Sequence, residues 1–123
     1  MSELQASHRY SDTDLSEFRE LIEQKLAKAK LKVSFYRQQI AELGENSDTK
    51  LRGPEDSLGG AEMERAQELA GKEVKYIQHL ENALTRIDNK TYGICRETGN
   101  LIEKSRLLAV PHATLSMEAK IKQ

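Results

Sequence analysis

The chain contains one cysteine, Cys95, and three histidines, His8, His79 and His112. A lone cysteine excludes an intrachain disulfide and a CxxC redox pair, and it fits a reducing compartment. A structural zinc site takes four Cys or His ligands, and Cys95 with His112 supplies two at most. The histidines stand in no Ser/His/Asp, HExxH, Walker or GxGxxG pattern, so the expectation is a protein that is not an enzyme. His79 adjoins Leu80 and follows Tyr76 by three residues, a normal flank of a helical seam. The remaining chemistry is charge. Residues 44–60 carry Glu45, Asp48, Glu55 and Asp56 against Lys50 and Arg52, a net −2. Residues 91–123 come to +2, with Arg96, Lys104 and Arg106 close together. The whole chain, with 19 basic and 20 acidic side chains, has a net charge of −1, which argues against gripping nucleic acid through a bulk field. Its four Tyr and two Phe lie largely on apolar seams rather than on a basic-aromatic platform.

The elements that must position these groups are helical. About half of the 123 residues are Ala, Glu, Lys, Leu or Arg, a composition that signals long helix or coiled coil when it is periodic. It is periodic. Residues 1–10 show no pattern and read as a loose arm. Ser11, Asp12 or Thr13 can cap a helix with acids in its first turn. From there Leu15, Phe18, Ile22, Leu26, Ala29, Val33, Tyr36, Ile40 and Leu43 follow in steps of three and four. That is a heptad-like seam, and Gly44 ends it as a C′ glycine would. The first helix is expected over 12–43, about 48 Å at 1.5 Å per residue. Residues 44–60 hold four of the seven glycines and one of the two prolines and read as a long loop, of the kind that is functional or disordered. A second seam runs through Met63, Ala66, Ala70, Val74, Ile77, Leu80, Leu84 and Ile87, giving a helix over 61–89. Two stripes of matched length predict an antiparallel coiled-coil hairpin over 11–90 with its tip at 44–60. After Lys90 the period changes. Ile94-Cys95 and Leu101-Ile102 flank a turn at Gly99, a short hairpin, and Pro111 opens a last helix running to about 121. Ile94, Leu101, Ile102, Leu107, Leu108, Val110, Leu115 and Met117 are the apolar residues of this small lobe over 91–123. The fold class is mainly α. No stretch approaches the roughly 20 apolar residues of a membrane span and no signal-peptide core is present, so a soluble cytoplasmic protein is expected.

The stretch from Tyr92 to Lys120 resembles the C-terminal zinc-finger region of the DksA/TraR family of bacterial transcription factors. The resemblance rests on Tyr92-Gly93-Ile94-Cys95, Thr98-Gly99, Ile102, Arg106-Leu107, Ala109, Pro111-His112-Ala113 and Leu115. The family pattern is aromatic-Gly-x-Cys-x-x-Cys-Gly, then Arg-Leu-x-Ala-x-Pro, then a closing Cys-x-x-Cys. The layout agrees as well, with a helical hairpin, an acidic tip and a small zinc-finger-like lobe ending in a terminal helix. The family's four metal positions fall on Cys95, Thr98, Ser116 and Ala119, of which only the first is a ligand type. The finger is degenerate, zinc is expected to be absent, and Cys95 is expected to be a small buried apolar residue.

The resemblance implies a protein that binds bacterial RNA polymerase rather than DNA, probing the secondary channel with its coiled coil and bringing tip acids to the catalytic magnesium region. The family's tip motif Asp-x-x-Asp-x-Ala falls on Arg52, Glu55 and Ser57. Glu55, Asp48 and Asp56, with Ser57, are therefore the candidate tip contacts, and Arg96, Lys104 and Arg106 the candidate lobe contacts. Family members also respond to guanosine tetraphosphate. The matching positions here are His79, Val110 and Lys120, one of them apolar and one weakly basic, so His79 and Lys120 remain candidate nucleotide contacts only. No membrane partner is expected, and the chain is expected to be monomeric. Two other readings stay open: a coiled-coil interaction scaffold of the same fold without polymerase activity, and a transcript-cleavage factor of the Gre type.

Overall fold

The computed structural model describes residues 9–49 and 56–121, with side chains over 9–45 and 60–121. Four helices account for most of it: α1 (Asp12–Thr49), α2 (Asp56–Asp88), α3 (Lys104–Ala109) and α4 (Met117–Ile121). The chain is mainly α, and its two long helices pair antiparallel as a coiled-coil hairpin. Among the described residues the β pairing is a single antiparallel bridge between Ile94 and Leu101, so the predicted short hairpin is a one-bridge turn. They fall into two compact units, one built from residues up to Leu26 and from His79 onward, the other from Ala27–Gln78.

In the first unit α1 starts where the sequence places it. The Ser11 hydroxyl accepts the Asp14 N–H at 3.1 Å, the bond an N-cap makes. The first residues of α1 lie beside the last of α2, as the exposed ion pairs Arg19–Asp88 and Lys90–Asp12 record. The interface is made by Leu15, Phe18, Ile22, Leu80, Ala83 and Ile87, all buried. α2 ends in a Schellman arrangement: the Thr91 N–H reaches the Arg86 carbonyl at 2.9 Å and the Lys90 N–H the Ile87 carbonyl at 3.1 Å. Lys90 takes the left-handed conformation that glycine usually supplies there, with φ 65°. Of the stretch 1–10 expected as a loose arm, residues 1–8 lie outside the described residues, and Tyr10 at its end is anchored. It is buried, packs edge-on against Phe18 with ring centroids 5.5 Å apart, and donates its hydroxyl to the Ile102 carbonyl. A single aromatic before the helix cap has no periodicity to announce it.

In the second unit the buried side chains are Ala29 and Val33 of α1 and Ala66 and Ala70 of α2. Near residue 44 the partner is Met63, whose Cε would lie 3.8 Å from a Cβ on Gly44. Two sequence expectations need correction here. Val74 is 41% exposed, while Glu73 is half-buried. A seam of mean period 3.5 must alternate threes and fours, and passing from 70 to 77 through 73 keeps that alternation where 74 does not. Both ends of the expected loop 44–60 are helical, and residues 50–55 lie outside the described residues. α1 continues through Gly44 to Thr49 and α2 begins at Asp56. Glycine inside a helix costs only about 1 kcal/mol relative to alanine, so a lone glycine does not stop a helix unless φ turns positive, and Gly44 has no positive φ.

Candidate functional site

The lobe after α2 is built on a knuckle around Cys95. Gly93 (φ 79°) and Gly99 (φ 75°) supply the left-handed turns. Between them the Cys95 N–H reaches the Asn100 carbonyl at 2.8 Å, the Gly99 N–H reaches the Cys95 carbonyl at 2.8 Å, and the Ile102 N–H reaches the Gly93 carbonyl at 2.7 Å. Gly93 has a second reason to be glycine, since a Cβ there would lie 2.6 Å from the Tyr10 ring. Cys95 is 1% exposed. Burial alone pushes its thiol up, but hydrogen bonds from the Thr98 side chain and from the backbone N–H groups of Ser116, Thr98 and Glu97 outweigh that and bring it down to about 6. The Ser116 N–H stands 3.3 Å from the sulfur. Cys95 is buried as expected, and its sulfur is in addition the acceptor on which both halves of the knuckle close.

The four positions of a C4 finger do not fit a zinc ion. Thr98 Oγ1 accepts the Asn100 N–H at 3.2 Å. Ser116 Oγ accepts the Ala119 N–H at 3.2 Å and so starts α4. Ala119 has no donor atom, and no cluster of three or more His, Cys, Asp or Glu capable of holding a metal occurs among the described residues. Apolar packing and side-chain clips hold the lobe instead. Tyr92, Ile102, Leu107 and Pro111 are fully buried, with Ala113, Leu115 and Ala119 behind them. The Tyr92 hydroxyl donates to the Pro111 carbonyl at 2.8 Å, and burial pushes its phenol well above the usual range. Leu108 and Met117, expected in this core, are 59% and 45% exposed. The helix expected to open at Pro111 is likewise absent. α3 ends at Ala109, turns follow, and α4 starts at Met117 behind the Ser116 cap. Pro111 is instead a core residue whose carbonyl serves Tyr92, and a cap serine outcompetes the helix-start signal of the proline.

The predicted lobe contacts have different settings. Arg106 donates through Nε to the Leu115 carbonyl at 2.8 Å and through Nη1 to Met117 Sδ at 3.2 Å, which clips α3 to the turn before α4. Lys104 pairs with Asp14 at 3.1 Å and lies 5.9 Å from the centre of the Tyr10 ring. Arg96 is exposed. His79 is brought against His112, the two rings stacked with centroids 5.2 Å apart and planes within 13°. Arg86, two turns on from His79, donates to the His112 carbonyl at 3.4 Å. Burial first, then His79 and Arg86, hold the His112 imidazole below its ordinary range. Sequence reasoning missed Tyr10, Arg86 and the histidine pair; the spacing of His79, Ala83 and Arg86 on one helical face was the available signal. Lys120 is exposed, and Val110 half-buried. Of the tip candidates, Glu55 and the side chains of Asp48, Asp56 and Ser57 lie outside the described residues.

Residues 90–123 match the profile of the prokaryotic DksA/TraR C4-type zinc finger. The chain is 42% identical over 62 residues to the RNA polymerase-binding transcription factor DksA of Caulobacter vibrioides, covering 49% of this chain and 44% of that protein. It is 39% identical over 44 residues to general stress protein 16O of Bacillus subtilis, covering 36% of this chain and 27% of that one. The chain thus spans less than half the length of these curated relatives. Its fold matches that of the transcription factor DksA2 from Pseudomonas aeruginosa with a TM-score of 0.82 at 24% identity, over 97% of this chain and 88% of that one. Residues 90–123 thus carry the sequence pattern of the DksA/TraR C4-type zinc finger, and nearly the whole chain shares the fold of the DksA2 structure.

Proposed function

We propose that the protein is a transcription regulator that binds bacterial RNA polymerase by inserting its coiled coil into the secondary channel. The observation that carries this reading is the 42% identity to a protein named for binding RNA polymerase, alongside a match in fold to a second DksA. The regulator acts in the cytoplasm as a monomer, without sequence-specific DNA contact. No helix among the described residues is long and apolar enough to cross a membrane. The acids Asp48, Glu55 and Asp56 act near the catalytic magnesium region, and Arg96, exposed and in no ion pair among the described residues, adds to the grip.

The test is co-elution with purified bacterial RNA polymerase, followed by transcription with a variant in which Asp48, Glu55 and Asp56 are replaced by Asn. The parent should bind and change initiation. The triple variant should keep helicity and most of its binding but lose the effect on transcription. A parent that fails to co-elute leaves the scaffold reading, and transcript shortening in stalled complexes would favour the cleavage-factor reading.

The regulator works without zinc. Its lobe closes on the Cys95 sulfur, the Ser116 cap and the Tyr92–Pro111 bond, so its folding free energy is not linked to a metal. Purified protein should carry far less than one zinc per chain, and EDTA should leave its melting temperature unmoved. Stoichiometric zinc lost together with the fold would overturn this.

A further inference from the structure

In the unit built from Ala27–Gln78, α1 has a second face away from its seam. Leu31 is 72% and Phe35 62% exposed. They stand four residues apart, so their side chains lie one above the other. Lys28 stands three residues before Leu31 and Lys32 three before Phe35, which places both ammonium groups beside the apolar pair, and both are exposed. Neither lysine has an acid three or four residues away, and neither forms an ion pair among the described residues. The wider sequence is biased the same way. Residues 24–41 contain Lys25, Lys28, Lys30, Lys32 and Arg37 and no acid, in a chain whose two signs otherwise nearly cancel.

None of this serves the isolated helix. Like charges four residues apart are mildly destabilising, and an exposed leucine and phenylalanine on one face gain nothing from water. A surface that covers Leu31 and Phe35 while presenting carboxylates to the lysines offsets both costs. Phosphates of a nucleic acid would satisfy the lysines but have no use for Leu31. A second copy of this chain offers poorer complementarity, because the exposed acids of α2 are interleaved with Arg65, Lys72 and Lys75.

We propose that the Lys28–Leu31–Lys32–Phe35 face of α1 is a docking surface for a protein wall of RNA polymerase that carries carboxylates around an apolar recess. This rests on the polymerase-binding reading above and adds a site that is neither tip nor lobe.

The test compares three full-length proteins for affinity to core RNA polymerase at several salt concentrations: the parent, Leu31→Ala/Phe35→Ala and Lys28→Glu/Lys32→Glu. All four positions changed are on the surface, and circular dichroism and melting should coincide. Truncating the apolar pair should weaken binding roughly tenfold or more. Reversing the two lysines should weaken it at least as much at low salt and flatten its salt dependence. If the parent binds and both variants bind equally well, the docking surface is wrong while the polymerase reading stands. If the parent does not bind, both fall. Loss with the lysine variant alone, with single-stranded DNA competing, would replace the proposal by a phosphate contact. Dissociation of a parent dimer by the apolar variant, with polymerase affinity unchanged, would replace it by self-association.

Discussion

The two units bury their residues in opposite styles. The unit that joins the start of α1, the end of α2 and the lobe packs Ile22, Leu80, Tyr92, Ile102 and Leu107 at or near zero exposure, and ties them with the Tyr10 and Tyr92 hydroxyls. The unit from Ala27–Gln78 buries Ala29, Val33, Ala66 and Ala70, seats Glu73 at a seam position, and leaves Leu31, Phe35 and Val74 in water. Large side chains inside one unit and small ones inside the other mean that the free energy of folding is concentrated in the first. The second is free to vary its surface for contact, because little of its surface supports a core.

The largest test of this contrast is truncation. Tyr92→Ala removes a fully buried ring and should cost about 3–5 kcal/mol, and Leu80→Ala about 2–5 kcal/mol, a large part of a small domain's stability. Val33→Ala in the other unit should cost about 1–2 kcal/mol, since fewer buried methyl groups are lost. Comparable losses at Leu80 and Val33, in urea melts followed by circular dichroism, would break the comparison.

Glycine replacement sharpens it through a change of sign. Gly93→Ala forces a Cβ into the Tyr10 ring and a side chain into φ 79°, and should destabilise by about 2 kcal/mol or more. Gly71, inside α2 with open space around it, should gain about 0.5–1 kcal/mol on conversion to alanine. Melting temperatures that move in the same direction for both would contradict the placement of Gly93 against Tyr10.

The smallest expected effect is in pH. Both shifted groups of the knuckle side lie in the first unit. The Cys95 thiol falls from 9.0 to about 6, a depressed value, so its contribution is fully present above pH 9 and is lost as pH falls toward 6. His112 is also depressed from 6.5. It favours the fold when neutral, and that contribution is lost as pH falls below about 6.5. Asp12 and Asp14, lowered by hydrogen bonds from Lys90 and Lys104, act only below about pH 4. Amide exchange in the first unit should therefore quicken steadily from pH 9 to pH 5 once corrected for intrinsic rates, with the upper part of the slope removed by Cys95→Ala and the lower part by His112→Gln. An equal slope among the amides of Ala27–Gln78 would show a global charge effect instead.

The seams were readable because burial on a helix repeats. Leu15, Phe18, Ile22, Ala29, Val33, Ala66, Ala70, Leu80 and Ile87 are all buried as the spacing predicts, and the start of α1 followed from the chemistry of Ser11. What escaped was non-periodic. Tyr10 is held by a carbonyl 92 residues away, and the stack of His79 on His112 joins two elements that share no pattern. The ends of α1 and α2 escaped because the propensity penalty of a glycine is too small to set a boundary. Pro111 misled because a helix-start residue is also a good core residue. In the candidate site, the types at Cys95, Thr98, Ser116 and Ala119 argued from sequence against a C4 metal centre. The hydrogen bonds that replace it needed coordinates.

The bond from Tyr10 to Ile102 has a consequence for the order of events in folding. Pairing across the Ala27–Gln78 unit needs only residues that leave the ribosome within a few seconds of one another, at about 5–20 residues per second. The other unit cannot close until its far half has been made, because the carbonyl that Tyr10 requires and the ring of Tyr92 against Phe18 come from the opposite stretch of chain. Its contacts are non-local in sequence, the class that forms slowly. During synthesis Leu15, Phe18 and Ile22 therefore meet Leu80, Ala83 and Ile87 once α2 has been made, while the side of Phe18 that Tyr10 and Tyr92 close stays open. The window in which this chain is open to aggregation or to chaperones is set by the arrival of residues 92–115.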